Sequence, residues 1–168
     1  QFTSNSNEMW EWDGVSWSKR CDNNPSTDTC ALPSPGRQHM GITYDERRGR
    51  IVVFGGTSQF NFTDALADTW EWNGTTWEKR CDGSPASDVC TGPQPPARHG
   101  GALGYDEVTG LVYLFGGTTA ADVPMNDVWQ WDGSNWTDVT STPRPSAREG
   151  ARFAFDVTRN ELVLFGGA

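Results

Sequence analysis

The feature that most restricts this chain is a tryptophan hairpin written three times. WEWDGVSW runs from Trp10 to Trp17, WEWNGTTW from Trp70 to Trp77 and WQWDGSNW from Trp129 to Trp136. All nine tryptophans of the 168 residues lie in these segments. Each segment leads into a proline-rich stretch ending in arginine, at Arg37, Arg98 and Arg148. An aromatic–aspartate pair follows (Tyr44-Asp45, Tyr105-Asp106, Phe155-Asp156), then an apolar run closed by a diglycine: IVVFGG, LVYLFGG and LVLFGG. The arginines are spaced by 61 and 50 residues. Self-similarity at such a period means stacked or radial units, each burying its apolar face on its neighbours.

The local signals inside one unit are those of strands. RIVVFGG reads as a short buried strand stopped by Gly-Gly. Asp13-Gly14, Asn73-Gly74 and Asp132-Gly133 sit where a two-residue hairpin turn needs positive φ. Trp10 and Trp12 alternate, so both rings face one side, and Trp17 can meet them from the paired strand. A further strand is expected from Arg37 to Tyr44, turning through DERRGR into the apolar run. That makes four strands per unit.

The diglycine after an apolar strand, the aspartate two residues before tryptophan (Asp68, Asp127) and the paired aromatics, in three registered copies, resemble the Kelch-repeat family along the whole chain. The pattern is similar to the Kelch central domain of galactose oxidase. The resemblance implies an all-β fold of Kelch-type β-propeller blades, each of four antiparallel strands. One domain is expected over residues 1–168, with repeat units at about 10–56, 70–117 and 129–167 and a half-blade at each end. With strands labelled a to d from the axis outward, the chain runs c-d, a-b-c-d, a-b-c-d, a-b.

Three blades are too few, because propellers use about four to eight. The arc is either part of a longer chain or one of two copies that complete each other as a two-fold dimer closing a six-blade ring. The linker from diglycine to the first tryptophan is 13 residues in one copy and 11 in the next, and Ala168 plus residues 1–9 of a neighbour would make 10. The chain opens on Gln1 in a polar stretch without a basic or apolar leader, and reads as a processed or excised piece.

The four cysteines sit in two equivalent loops, Cys21–Cys30 and Cys81–Cys90, and the third copy lacks both members. Cysteines lost two at a time within a unit argue for those two disulfides, and hence for a secreted or periplasmic location. The eight-residue gap is not a zinc spacing, no histidine accompanies it, and no cofactor is expected.

With a net charge of −9 the chain is a poor match to nucleic acid or an anionic membrane. No apolar run is long enough to span a bilayer. No G-x-S-x-G, H-E-x-x-H or phosphate loop is present. His39 and His99 are not in register: one lies two residues after its arginine, the other one, which on a strand points them to opposite faces. Neither matches a tyrosine ligand set for a copper–tyrosyl site.

Two regions remain as candidates. Arg37, Arg98 and Arg148, with Gln38, His39, His99 and Glu149 beside them, could line the channel and take an anion, against an architectural role for the arginines. Gln38, His99 and Glu149 occupy one repeat position and differ, as a specific site would. The face that carries the b–c and d–a loops gathers Asp22, Asp28, Asp64, Asp82, Asp88 and Asp122, and is the expected partner or cation surface. Most tryptophans are expected to pack between blades. Three Asn-x-Ser/Thr sequons, at Asn61, Asn73 and Asn135, are read as incidental. The expected function is a non-enzymatic secreted binding or scaffold module that assembles into a closed ring and contacts a protein or glycan. The alternatives are a fragment of a secreted propeller enzyme and a lectin using an aromatic such as Phe60 or Phe62.

Overall fold

A computed structural model describes residues 8–21, 30, 33, 35–82 and 88–168. Among them there are twelve strands and no helix. The strands β1 (Met9–Trp12) and β2 (Trp17–Cys21) form a two-stranded sheet. Next come β3 (Gly41–Asp45), β4 (Arg50–Phe54), β5 (Thr69–Trp72) and β6 (Trp77–Cys81), which form a four-stranded antiparallel sheet in sequence order. The pattern repeats in β7 (Ala102–Asp106), β8 (Leu111–Phe115), β9 (Val128–Trp131) and β10 (Trp136–Asp138). The chain closes with a second pair, β11 (Arg152–Asp156) and β12 (Glu161–Phe165). These are two whole propeller blades and two complementary half-blades.

The first strand of each sheet is innermost. β3 packs against β7, and β7 against β11. Gly104 on β7 explains how closely: a Cβ there would lie 2.5 Å from the Cβ of Phe153. The inner rim is also tied by the backbone, with Gly100 N donating to His39 O and Gly150 N to Gly100 O, both at 2.8 Å.

The tryptophans pack as pairs and then between blades. Trp12↔Trp17, Trp72↔Trp77 and Trp131↔Trp136 are directly opposed across their hairpins, with ring centroids 5.4, 5.7 and 5.3 Å apart. Trp136 reaches the preceding blade, where its ring meets Phe54 edge-on at 5.3 Å and its Nε1 donates to Thr69 Oγ1. Trp131 Nε1 donates to Glu71, whose buried carboxylate also meets Arg48. Val52, Phe54, Leu114, Trp131 and Trp136 share one core cluster between the two whole blades. A smaller cluster of Cys21, Val53, Trp72 and Trp77 joins the first half-blade to its neighbour.

Two local expectations are corrected. The tryptophan hairpins turn one residue later than expected: beyond the Trp12–Trp17 pair Asp13 N donates to Ser16 O, so Gly14 and Val15, and not Asp13 and Gly14, are the central pair. The glycine does take positive φ (98°, 95° and 97°), but the preceding Asp or Asn works through its side chain. Asp13 Oδ1 accepts from the amides of Val15 and Ser16, and Asn73 and Asp132 do the same for their loops. The strand expected from Arg37 also starts later, at Gly41, because Arg37 turns inward and His39 adopts φ +54°.

Both disulfides, Cys21–Cys30 and Cys81–Cys90, form as the loop equivalence predicts, with Cα atoms 6.0 and 5.7 Å apart. The bridges tie the end of the outermost strand to the loop that returns to the axis.

Candidate functional site

Two of the three repeat arginines are committed to architecture. Arg37 sends a fork to both oxygens of Asp68 at 2.6 and 2.8 Å, and also donates to Gly55 O. Arg98 does the same with Asp127, at 2.6 and 2.7 Å, and with Gly116 O. Both guanidinium groups are buried, and each carboxylate also accepts from a tryptophan Nε1, Trp70 or Trp129. Burial alone would raise the Asp127 carboxyl, but the hydrogen bonds and charge of Arg98 outweigh it and hold the group below the ordinary carboxylate value. Neither arginine is left to bind an anion, which corrects that candidate role. Arg148 bonds only to Ser146 and Gly166 O, and among the described residues it meets no carboxylate.

The acidic loop face is mostly self-satisfied. Asp64 accepts from Thr57 Oγ1, from Ser58 Oγ and from the amides of Ser58 and Gln59, so it shapes its own loop. Asp82 meets Lys79 at 2.5 Å, and Asp88 holds the Asp82 amide and Gln94. Gln38 donates to Gln59 O. Asp22 and Asp28 lie outside the described residues.

The exception is a half-open cavity of about 390 Å³ near the inner rim, on the side that carries the b–c and d–a loops. His39, Phe62, His99, Asp122 and Glu149 line it, with Asn61, Thr63 and Thr119 supplying further polar atoms. The two histidines converge despite their mismatched register. His39 stands in a left-handed turn, whereas His99 is bridged to Thr118 one repeat position earlier, so alternation along a strand does not relate them. Phe62 sits between them, its ring 4.8 Å from His39 and 5.1 Å from His99.

His99 is the buried member, with its side chain 5% exposed. Its Nδ1 lies 3.3 Å from Glu149 Oε2, and neither atom has a hydrogen-bond partner. Glu149 is the more exposed, at 43%, and reaches the cavity. A buried imidazole held beside a carboxylate in this way can orient a ligand hydroxyl or exchange a proton with one.

Backbone strain concentrates at the same place. Among the described residues, four non-glycine residues have positive φ: His39, Phe62, Asp122 and Asn160. Three of the four line this cavity. His39 occupies the position held by Gly100 (φ +67°) and Gly150 (φ +72°) in the next two repeats. Sequence reasoning named His39, His99, Glu149 and Asp122 separately, but the insertion that carries Asn61–Thr63 gave no sign of reaching the histidines. Among the described residues, no three His, Cys, Asp or Glu side chains gather as a metal site.

No protein-family model matches the sequence, and no curated protein does. Solved structures do. YjhT matches over 88% of this chain and 49% of its own, at 14% identity and a TM-score of 0.59. A fungal alcohol oxidase of the AA5 family, solved with copper, matches over 83% of this chain and 28% of its own, at 13% identity and a TM-score of 0.54. At that identity the likeness establishes the fold, a β-propeller built of four-stranded blades. The chain spans about half the length of the first structure and less than a third of the second.

Proposed function

We propose that this chain is an arc of a secreted β-propeller that binds a small polyhydroxylated ligand, such as the exposed end of a glycan, on its loop face at the His39–Phe62–His99–Glu149 cavity. The observation that carries the reading is the His99–Glu149 pair, a buried imidazole and a carboxylate without other partners at the wall of an open cavity. Two carboxylates, Glu149 and Asp122, with hydroxyl and amide groups around an aromatic ring suit neutral or cationic sugars and disfavour acidic ones. The disulfides are compatible with an extracellular setting.

The test is calorimetric titration with a panel of neutral, amino and acidic monosaccharides against the wild type and Glu149→Gln. Binding of neutral or amino sugars that weakens at least tenfold in the variant supports the reading. Binding of acidic sugars alone, or binding indifferent to residue 149, refutes it. A second reading is a propeller enzyme that uses the same pair as acid and base, favoured by the oxidase among the structural neighbours. Turnover of a bound sugar would select it.

A further inference from the structure

The three Asn-x-Thr sequons, at Asn61, Asn73 and Asn135, are alike in sequence and differ in what the fold does with each amide. From that difference we infer that Asn61 is an acceptor for an N-linked glycan, and that Asn73 and Asn135 stay bare. This rests on the reading above that the chain is secreted, because the transfer belongs to the secretory compartment.

Asn73 and Asn135 are half-buried hairpin residues whose amides are already used. Asn73 Oδ1 accepts from the amides of Thr75 and Thr76 at 2.8 and 2.9 Å, and its Nδ2 donates to Glu78 at 2.6 Å. Its repeat equivalents Asp13 and Asp132 hold their loops through the same oxygen, so the side chain serves the turn. Asn135 Oδ1 accepts from the amide and hydroxyl of Thr91 at 3.0 and 3.3 Å, which fastens the third hairpin to the loop after Cys90. The middle residue of its sequon is Trp136, 1% exposed in the core between the whole blades. A glycan on Asn73 displaces Glu78, and one on Asn135 separates its loop from Thr91.

Asn61 is the opposite case. It lies on the loop between β4 and β5, where both Asn61 and Thr63 are exposed. Phe62 between them turns inward, its ring held between His39 and His99. Phe62 N donates to Gln59 O at 3.2 Å and Phe62 takes φ +57°, so the middle residue anchors the loop while its two neighbours face solvent. Thr63 Oγ1 donates to Asn61 Oδ1 at 2.8 Å, and Asn61 Nδ2 has no hydrogen-bond partner among the described residues. The donor class is an oligosaccharide joined through its C1 to a lipid pyrophosphate. Asn61 Nδ2 forms a bond to C1 as the C1–O bond to phosphate breaks. The bonding pair leaves with the lipid pyrophosphate, and one amide proton passes to a base of the transferase. A chain modified at Asn73 or Asn135 has to fold around the sugar, whereas one modified at Asn61 folds unhindered. Asn61 also lines the His39–His99 cavity, so the first sugar stands at its rim.

The test is site mapping of the full chain made in yeast behind a cleaved secretion leader. Peptide N-glycosidase converts each occupied asparagine to aspartate, which mass spectrometry then locates. The variants are Asn61→Gln and the pair Asn73→Asp with Asn135→Ser, which brings in the residue types found at Asp13 and Ser16 of the first hairpin. The expected result for wild type is conversion at residue 61 alone. Asn61→Gln should lose all N-linked sugar with its strand signal retained by circular dichroism, and the paired variant should keep the glycan. A bare Asn61, or conversion at 73 or 135 equal to that at 61, overturns the inference. Attachment precedes export, so protein retained in the cells is mapped in the same way and is read by the same criteria. Thiol titration separates the two readings. Free thiols in the exported protein count against the secreted reading alone, and closed disulfides with a bare Asn61 count against this inference alone.

Discussion

Replacing Asp127 by alanine tests the arginine clamp most directly. The Arg98 side chain is 1% exposed and sends two nitrogens to this carboxylate. Removing the partner leaves a buried guanidinium uncompensated, at a cost of about 3–5 kcal/mol. Trp129 Nε1 loses its acceptor at the same time, worth about 1–3 kcal/mol if it stays dry. The two losses share one cavity, so the expected total is about 4–5 kcal/mol, not their sum. That is about a quarter or more of the roughly 5–15 kcal/mol available to a domain. With a urea slope of about 2–3 kcal/mol per molar, the midpoint should fall by about 1.3–2.5 M. Tryptophan fluorescence reads this transition well, because all nine tryptophans lie on strands, three of them in the blade that Arg98 and Asp127 clamp. The paired replacement Arg98→Met with Asp127→Leu removes the charge along with its partner and should recover at least half of the loss. A cost under about 1 kcal/mol for Asp127→Ala would place the pair among exposed salt bridges and refute the reasoning.

Reduction of both disulfides should lower stability by about 2–3 kcal/mol per bridge without abolishing the strand signal, because the third unit holds with no bridge. Loss of all β-structure on mild reduction, followed by circular dichroism, would contradict this. The Asp127 carboxyl is held below its unfolded value of about 3.9, so its contribution is complete above that pH and disappears as pH falls through the lower folded value. Acid titration of Asp127→Asn should therefore show a shallower loss below about pH 4 than wild type, and parallel curves would refute the assignment. His39→Gly should leave urea stability within about 1 kcal/mol, since relief of a left-handed backbone offsets a looser unfolded chain. It should also weaken ligand binding; a large destabilisation with binding intact would make His39 structural.

The blade was legible because its signals are local and repeated. The diglycines, the alternating tryptophans and the paired cysteine loops each mark one strand end, one face or one tether, and the two sheets of four follow from them. The site was not legible, for two physical reasons. Strand alternation was applied to His39 and His99, but His39 sits in a left-handed turn just past the bridge position that His99 occupies, and alternation does not hold there. Phe62 arrives from a loop two residues longer than its counterpart at 118–128, so no register connects it to either histidine. Asp68 and Asp127 were visible as marks of the repeat, but their role as arginine acceptors needed coordinates.

A repeat protein carries its own controls, and these separate the cavity from its scaffold. Positions that recur with the same partners, such as Arg37–Asp68 and Arg98–Asp127 or Trp72–Trp77 and Trp131–Trp136, solve the same packing problem in successive blades. A residue that departs from its equivalents at a cost in backbone strain solves a different one. His39 stands where the next two units use glycine, and Phe62 and Asp122 take left-handed conformations in loops of unequal length. Asn160, in place of Gly49 and Gly110, is a like departure in an ordinary hairpin turn, but the other three lie together. They meet around the one imidazole whose nearest polar neighbour is a partner-free carboxylate oxygen. Packing gains nothing from that arrangement, since glycine at residue 39 and a filled cavity would each be cheaper. The strain is intelligible if the cavity is kept open for a ligand.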